Sequence, residues 1–209
     1  MPTYKLTYFP SRARGELIRL IFTIVGQTYK NDIIAMADWP LFKRKMPTGQ
    51  LPVLEVDGKQ LSQSLAIARY LAREFDLAGH SSLEQCLVDQ VVDTAADAFT
   101  EYYEYFKLQR KTKIKGKKVE LQKTFVNETV PRFARIFNNF MESNGGENMY
   151  FVGTQMTIAD LACYDIFTSF LLLNPNALQD FPKLKANRRK IEENERLNQY
   201  LAKRLKSSI

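Results

Sequence analysis

The chain has 209 residues, of which 45% are hydrophobic and 25% charged, and a formal net charge of +7 at pH 7. This length and composition allow one large domain or two small ones to fold without covalent cross-links. No segment approaches the roughly 20 consecutive apolar residues that span a bilayer. The two cysteines, Cys86 and Cys163, fall in helix-like segments and are interpreted as reduced core residues. We therefore expect a reducing, cytoplasmic location.

The positive charge is concentrated in one segment. Residues 107–123 contain eight Lys or Arg residues and a single acid, Glu120, so this segment carries +7 and the rest of the chain is neutral in total. A nucleic-acid-binding protein would carry a wider basic surface, so we predict no nucleic acid partner. The segment is interpreted first as a solvated helix–loop–helix connection, and second as a contact for an anionic membrane or partner.

The first part of the chain predicts a sheet with helices packed on it. Residues 4–9 alternate as in a strand, and residues 17–25 repeat apolar side chains at helical spacing. A second strand is predicted over 29–34, and a hairpin turns at Asp57-Gly58. A further helix is expected to start at Ser64, with Ser64 as its N-cap. The order of these elements predicts a mixed four-stranded sheet.

After a short polar linker at 76–82, only helices are predicted. Ser82 and Gln85 are expected to form a capping box at the start of a long helix. A second long helix is predicted over about 119–141. Thr-Ile-Ala-Asp at 157–160 predicts another capping box, at the start of an apolar helix. The second part of the chain should therefore be all-helical.

Five short segments stand out by their order and spacing. They are Tyr-Lys-Leu-Thr-Tyr-Phe at 4–9, Ala-Asp-Trp-Pro at 37–40, Leu-Pro-Val-Leu-Glu-Val-Asp-Gly at 51–58, Gln-Ser-Leu-Ala-Ile-Ala-Arg-Tyr-Leu at 63–71 and Thr-Ile-Ala-Asp at 157–160. Together they resemble the glutathione S-transferase family over the full chain, and its sigma class in particular. The resemblance implies a thioredoxin-like α/β domain at 1–78 that binds glutathione, followed by an all-helical domain at 82–209.

The resemblance implies an enzyme, a glutathione transferase that joins its co-substrate glutathione to small hydrophobic electrophiles in detoxification. An ordinary thiol has a pKa near 8.5, so only a few per cent of it is ionised at neutral pH. By the resemblance, Tyr8 would donate its O–H to the glutathione sulfur and keep it as the nucleophilic thiolate. Arg14 would add positive potential beside the sulfur. No metal is expected.

The resemblance also implies which residues bind glutathione besides Tyr8 and Arg14. They are Trp39, Lys43 and Gln50 around the glycyl carboxylate, Leu51 and a cis Pro52 beside the cysteinyl unit, and Gln63 and Ser64 at the γ-glutamyl end. Asp97 would reach the amino group of glutathione in the neighbouring subunit of a homodimer. An apolar stripe on the same helix, from Leu87 to Ala98, is interpreted as a second indication of that dimer.

The pocket for the electrophile is the least specified part of the prediction, since aromatic residues at helical spacing are also typical of a core. Its candidate lining residues are Phe9, Phe99, Tyr103 and Phe106. Three functions stay open: the transferase, an isomerase of the prostaglandin D synthase type, and a non-catalytic, crystallin-like dimer that binds lipid-like ligands. Ala96 stands between Asp93 and Asp97, where the isomerase would have a third acid for a divalent cation, so isomerisation is not favoured.

Overall fold

The computed structural model describes residues 2–144 and 149–204. Contacts between Cα atoms divide these residues into two compact units, the first formed by 2–77 with 194–204 and the second by 78–193. The last helix therefore groups with the first unit, although it lies inside the predicted helical domain at 82–209. The domain boundaries themselves stay a prediction.

The first unit contains four strands and four α-helices among its described residues, besides the 3-10 turns Ala13–Gly15 and Lys43–Lys45. The strands and α-helices are β1 (Tyr4–Tyr8), α1 (Glu16–Val25), β2 (Lys30–Ile33), α2 (Trp39–Phe42), β3 (Val53–Val56), β4 (Lys59–Ser62), α3 (Ser64–Glu74) and the last helix, α9 (Glu195–Lys203). The strand order is β2-β1-β3-β4. Strand β1 pairs in parallel with β2 and antiparallel with β3, and β3 pairs antiparallel with β4. The predicted mixed four-stranded sheet is confirmed.

Strand β1 lies inside the sheet because its side chains are apolar on the face that meets the helices. Tyr4, Leu6 and Tyr8 are all buried, and Leu6 stands opposite the equally buried Leu54 of β3. Helix α1 packs against α3 and α9. Its C-terminus is closed by Gly26, whose φ of 72° is the left-handed conformation that favours glycine.

The regular secondary structure of the second unit is entirely helical among its described residues. Its helices are α4 (Ser82–Lys111), α5 (Lys115–Thr124), a π-helical turn (Phe125–Thr129), α6 (Val130–Ser143), α7 (Ile158–Leu173) and α8 (Pro182–Glu192). Helix α4 packs along α7, which is apolar on almost every side. Within the described part of the chain, no helix is long and apolar enough to cross a membrane.

The capping box of α4 is formed one residue earlier than predicted. Ser81 Oγ accepts the N–H of Glu84 at 3.1 Å, and Glu84 Oε2 accepts the N–H of Ser81 at 3.4 Å. The same carboxylate oxygen accepts the N–H of His80 at 2.7 Å. The pair Ser82 and Gln85 has the same spacing, but a carboxylate is the stronger acceptor for these N–H groups. The box at Thr157 and Asp160 is confirmed as predicted.

Two other helix predictions are wrong in detail. The helix expected over 119–141 begins at Lys115 and is interrupted by the π-helical turn Phe125–Thr129. Pro131 follows that turn and has no N–H to continue the α-helical bonding pattern, so the chain widens just before it. Helix α3 starts with Ser64 as its first helical residue, so Gln63 and not Ser64 occupies the N-cap position.

The side chains of α4 also differ from two predictions. Val91, Ala95 and Ala98 are buried within this chain, so the apolar stripe belongs to the core of the second unit and does not indicate a dimer. Cys86 is exposed, because it lies off that stripe, whereas Cys163 on α7 is buried as predicted. Burial raises the pKa of the Cys163 thiol well above its ordinary value. Both cysteines are thiols and not disulfide-bonded.

Candidate active site

A cavity of about 520 Å³ lies in the first unit, beside Phe9, the residue that directly follows β1. Its walls come from the segment after β1, from α2 and the chain that follows it, from the approach to β3 and from the start of α3. The lining residues are Phe9, Arg14, Trp39, Lys43, Thr48, Gly49, Gln50, Leu51, Pro52, Gln63 and Ser64. Every glutathione-binding residue predicted in the first unit is in this set except Tyr8. The hydroxyl of Tyr8 contacts the backbone N–H of Arg14, which does line the cavity.

Tyr8 is the last residue of β1, and only 6% of its surface is exposed. Its Oη accepts a hydrogen bond from the backbone N–H of Arg14 at 3.1 Å. The ring lies so close to Gly15 that a Cβ there would fall 2.5 Å from Tyr8 Cδ1. On another side the Arg19 guanidinium carbon is 5.5 Å from the ring centroid. The hydroxyl is thus fixed in place beside a residue that lines the cavity.

A buried ionic network lies behind Tyr8, and the sequence analysis missed it. Glu16 is fully buried. Its Oε2 accepts bonds from Arg19 Nη1 at 3.2 Å and from Tyr200 Oη at 3.1 Å, and its Oε1 accepts one from Arg204 Nη1 at 2.6 Å. Burial, and then the charge of Glu16, raises the pKa of Tyr200 well above its ordinary value, so this phenol stays protonated. We call these four residues the Glu16 network.

The Glu16 network extends to the backbone of the segment that lines the cavity. Arg19 donates to the carbonyl oxygen of Ser11 at 2.7 Å and to that of Phe9 at 3.2 Å. Its guanidinium therefore bonds the segment after β1 at two points while it covers the ring of Tyr8. The signal in the sequence was present but small: Glu16 and Arg19 are charged residues, one helical turn apart, at the start of a strongly apolar helix.

The part of the cavity near α2 carries the residues expected to meet a carboxylate. Trp39 begins α2 and is half-buried, with its ring edge-on to Phe9 at 5.4 Å between centroids. Lys43 and Gln50 are exposed and line the same cavity. A lysine cation, an indole N–H and an amide N–H can all donate to a carboxylate. This end of the cavity is suited to an anionic group.

The other end of the cavity combines an unusual backbone with a helix start. The Leu51–Pro52 peptide bond is cis, as predicted. Gln63 has a φ of 73° and a ψ of 109°, in the left-handed region that costs a residue with a side chain about 1–3 kcal/mol. Ser64 follows it in the first turn of α3. Unpaired N–H groups at a helix N-terminus, together with a serine hydroxyl, attract a carboxylate.

Models of the glutathione S-transferase N-terminal domain match residues 4–73, and models of the C-terminal domain match residues 96–204. The chain belongs to the glutathione S-transferase family. It is 38% identical over 207 residues to probable glutathione S-transferase 6 of Caenorhabditis elegans, covering 98% of each chain. It is 37% identical over 209 residues to hematopoietic prostaglandin D synthase of Rattus norvegicus, covering 100% of each.

The fold is also that of solved family members. The chain superposes on monomeric Na-GST-3, a glutathione S-transferase from the hookworm Necator americanus, with a TM-score of 0.89 at 35% identity, covering 99% of this chain and 100% of that one. The predicted family, the thioredoxin-like sheet followed by a helical part, and glutathione transferase activity are confirmed. The match to a prostaglandin D synthase agrees with the predicted sigma-class resemblance.

The remaining predicted binding residue for glutathione, Asp97, lies on α4 in the second unit. It is exposed and, with Glu101 and Arg132, lines a cavity of about 420 Å³ between α4 and α6. Glu101 and Arg132 form an ion pair of 2.6 Å across it. Among the residues that the structure describes, no group of three or more His, Cys, Asp or Glu side chains could hold a metal ion.

The predicted electrophile-pocket residues are divided between the two units. Phe9 lines the cavity of the first unit. On α4 of the second unit, Phe99 stacks on the exposed Tyr103 with 6.3 Å between ring centroids. Phe106 packs edge-on against the buried ring of Tyr102 at 5.1 Å. Phe99 and Tyr103 thus form one aromatic pair, while Phe106 belongs to a separate aromatic cluster of the helical core.

Proposed function

We propose that this glutathione transferase joins the thiolate of glutathione to small apolar electrophiles, and that Tyr8 keeps the sulfur ionised. The observation that carries the proposal is the hydrogen bond of 3.1 Å that the Tyr8 hydroxyl accepts from the N–H of Arg14, a residue that lines the cavity. A hydroxyl that accepts one bond can donate its own proton in another. The family's co-substrate supplies the thiol to which it would donate.

The energy that this hydrogen bond must supply is modest. Lowering a thiol pKa by about two units requires roughly 2.7 kcal/mol of preferential stabilisation of the thiolate. A hydrogen bond to a charged group contributes about 1.5–3 kcal/mol, so one well-directed phenol nearly suffices. The Arg14 side chain, which is exposed and lines the cavity, adds positive potential at the same place. Tyr8 and Arg14 together account for an ionised sulfur.

The two ends of the cavity suit the two ends of glutathione. We place the glycyl carboxylate at Trp39, Lys43 and Gln50, and the γ-glutamyl carboxylate at Gln63 and Ser64. These contacts do not change between bound substrate and transition state. Losing one of them therefore raises KM more than it lowers kcat.

The cysteinyl unit lies between these ends, opposite the backbone of Leu51 and beside Pro52. Its main chain would pair with the Leu51 backbone as an added strand. Since one carboxylate is held at each end, the sulfur comes to rest between them, beside Arg14 and the Tyr8 hydroxyl that its N–H contacts. This arrangement orients the thiolate without requiring any further charged group.

We further propose that the active species is a homodimer in which Asp97 binds the glutathione amino group of the partner subunit. This rests on the family resemblance and on the exposure of Asp97; the relative described as monomeric means that the fold alone does not decide it. A mixed dimer of Asp97→Asn with Tyr8→Phe provides the test. If Asp97 acts on the partner, both defects fall on one site and the other keeps wild-type affinity and rate. Finding no wild-type site, or a monomer by sedimentation, would contradict it.

A prostaglandin isomerase is the second candidate, because one relative of 37% identity carries that name. Ala96 argues against a cation-assisted form of it, because alanine occupies the position between the exposed Asp93 and Asp97 where a third acid would stand. For location, we propose the cytoplasm, where thiols such as Cys86 and Cys163 stay reduced. The detoxification of foreign or endogenous electrophiles is part of the same proposal.

The experiment that tests the proposed function combines binding and turnover. The purified chain should be retained on immobilised glutathione and released by the free tripeptide. It should also conjugate glutathione to a generic aryl halide, with prostaglandin D formation measured on the same preparation. Retention with conjugation supports the transferase, and retention with prostaglandin D formation alone supports the isomerase. Retention without either activity would overturn both and favour a binding protein.

A further inference from the structure

Helix α5 (Lys115–Thr124) stands apart from the core of the second unit. None of its residues is buried. A Cβ added at Gly116 would meet no atom within 4 Å. The helix is held beside the end of α4, where Gln109 Nε2 donates to the carbonyl oxygen of Lys118 at 2.7 Å. The helical hairpin is therefore fixed to the fold, while no described residue of the chain covers its outer face.

The net charge of this hairpin, +7, equals the net charge of the whole chain. We call residues 107–123 the basic tip; its cations are Lys107, Arg110, Lys111, Lys113, Lys115, Lys117, Lys118 and Lys123. All of them except Lys107 are exposed. Within residues 2–144 and 149–204, Lys107 is also the one member that forms an ion pair, with Glu104 at 2.8 Å. The tip is thus a dense and largely unneutralised positive surface.

Large aliphatic side chains are exposed between these cations. Leu108 is 47% exposed, Ile114 68% and Val119 46%. Ile114 lies in the turn between the two helices, directly before α5, with Lys113 and Lys115 as its neighbours. Clusters of four to eight Lys or Arg residues on a protein surface bind anionic lipid headgroups, and apolar side chains beside them add buried area at the membrane interface.

We infer that the basic tip binds the surface of an anionic lipid bilayer, with its cations at the headgroups and Ile114 and Val119 inserted among the acyl chains. Anionic headgroups attract each nearby Lys or Arg, and the contact weakens as salt screens it. Duplex nucleic acid could pair with the cations but would leave Ile114 and Val119 without an apolar partner. The surface therefore fits a membrane better than a nucleic acid.

The neighbouring cavity argues against a single anionic amphiphile as the occupant. It has a volume of about 440 Å³ and lies where α4 meets α5 and the π-helical turn. Its wall contains three acids, Glu101, Glu104 and Glu120, and only one lysine, Lys117. An anionic headgroup would be repelled there. The cations point to a surface partner outside this cavity.

The test uses vesicles of about three parts phosphatidylcholine to one part phosphatidylserine, and vesicles of phosphatidylcholine alone. The wild-type chain should co-sediment with the first and not with the second, and raised ionic strength should release it. The triple variant Lys113→Gln, Lys115→Gln, Lys118→Gln should bind on the order of 100-fold more weakly. The matched control Lys30→Gln, Lys59→Gln, Lys185→Gln removes the same charge at exposed positions elsewhere. It should bind much as the wild type does.

A second variant separates a membrane from a nucleic acid. Ile114→Ser should weaken vesicle binding about tenfold by removing apolar area, whereas Leu172→Ser, at a residue 60% exposed on α7, should not. All variants should keep wild-type circular dichroism and glutathione conjugation. The inference fails if the tip triple binds vesicles as tightly as its control. It also fails if Ile114→Ser has no effect, or if duplex DNA at the same salt displaces the chain from the vesicles.

Discussion

Among the described residues, each unit contains one completely buried carboxylate, Glu16 in the first and Asp160 in the second, and the two are stabilised in different ways. Glu16, in the first unit, is surrounded by opposite charge: Arg19 and Arg204 donate to its two oxygens, and Tyr200 adds a phenol. A buried anion between cations loses hydration but gains ion pairs in a poorly screened interior. The buried Glu16 carboxylate is therefore stable in the folded state only while all members of the network are present.

Asp160, in the second unit, is bonded by neutral donors. Its oxygens accept the backbone N–H of Thr157 at 2.8 Å and of Phe151 at 2.9 Å, the Thr157 hydroxyl at 3.1 Å and the Asn187 amide at 2.7 Å. Burial raises the pKa of this carboxyl to about 6, although these hydrogen bonds lower it in part. The difference is functional as well. The Glu16 network supports the segment around Tyr8, whereas Asp160 fixes the start of a core helix.

The largest expected effect comes from removing the Glu16 carboxylate. Glu16→Ala leaves two arginine side chains, 7% and 19% exposed, without their anion, so we expect a loss of about 3–5 kcal/mol in the free energy of unfolding. In the folded fraction, the pKa of bound glutathione should also rise, because Arg19 is less firmly placed. Denaturant unfolding measures the loss in the free energy of unfolding, with Glu74→Ala at an exposed position as the control. A loss below about 1 kcal/mol would contradict the importance of the network.

The next effect is the pH dependence of stability that Asp160 contributes. Its pKa is about 6 in the folded chain against an ordinary 3.8, so the folded state binds more protons between these values. This group's contribution to stability is therefore present below about pH 4 and is lost as the pH rises through 6, a change of about 3 kcal/mol. Asp160→Asn should remove that slope, as measured by denaturant unfolding at several pH values.

A second measurement keeps this prediction testable even if Asp160→Asn folds poorly. The carboxyl carbon of Asp160 in the wild-type chain can be titrated by nuclear magnetic resonance. Its midpoint should lie near 6. A midpoint near 4 would contradict the prediction, because it would show that the neutral hydrogen-bond donors offset the effect of burial. Glutathione conjugation by Asp160→Asn should be unchanged per folded molecule.

A smaller effect is expected from filling the space beside Tyr8. Gly15→Ala places a Cβ 2.5 Å from Tyr8 Cδ1, so either the ring or α1 must move. We expect a loss of about 1–3 kcal/mol in stability together with lower kcat, since the hydroxyl moves with the ring. Gly116→Ala is the matched control, because its Cβ meets nothing and alanine favours a helix. Equal effects at the two glycines would mean that the contact with Tyr8 has no bearing on catalysis.

The contrast between the two carboxylates also shows what the sequence could predict. The Asp160 box was readable because Thr157 lies three residues away and the spacing itself defines the bond. The walls of the glutathione cavity were readable for a similar reason, as each comes from a short segment with a recognisable pattern. Even so, local spacing left the register of the other box open, since Ser81 and Ser82 both fit it.

The Glu16 network could not be predicted because its partners are distant in sequence. Glu16 meets Tyr200 and Arg204 at separations of 184 and 188 residues, and no local pattern encodes such a pairing. The misreading of α4 has a similar cause. Its apolar stripe was attributed to a dimer, but whether such a stripe faces α7 or a second subunit depends on tertiary packing. Periodicity shows that a face is apolar and does not show what covers it.

The most direct test of the account is the ionisation of bound glutathione with and without the Tyr8 hydroxyl. Thiolate absorbance should be titrated for the wild-type chain and for Tyr8→Phe, both saturated with glutathione. The wild-type pKa should lie about two units below the ordinary thiol value near 8.5, and the variant should return close to that value. The variant should also lose roughly 10–100-fold in conjugation rate at neutral pH. An unchanged thiol pKa in Tyr8→Phe would contradict the assignment of Tyr8.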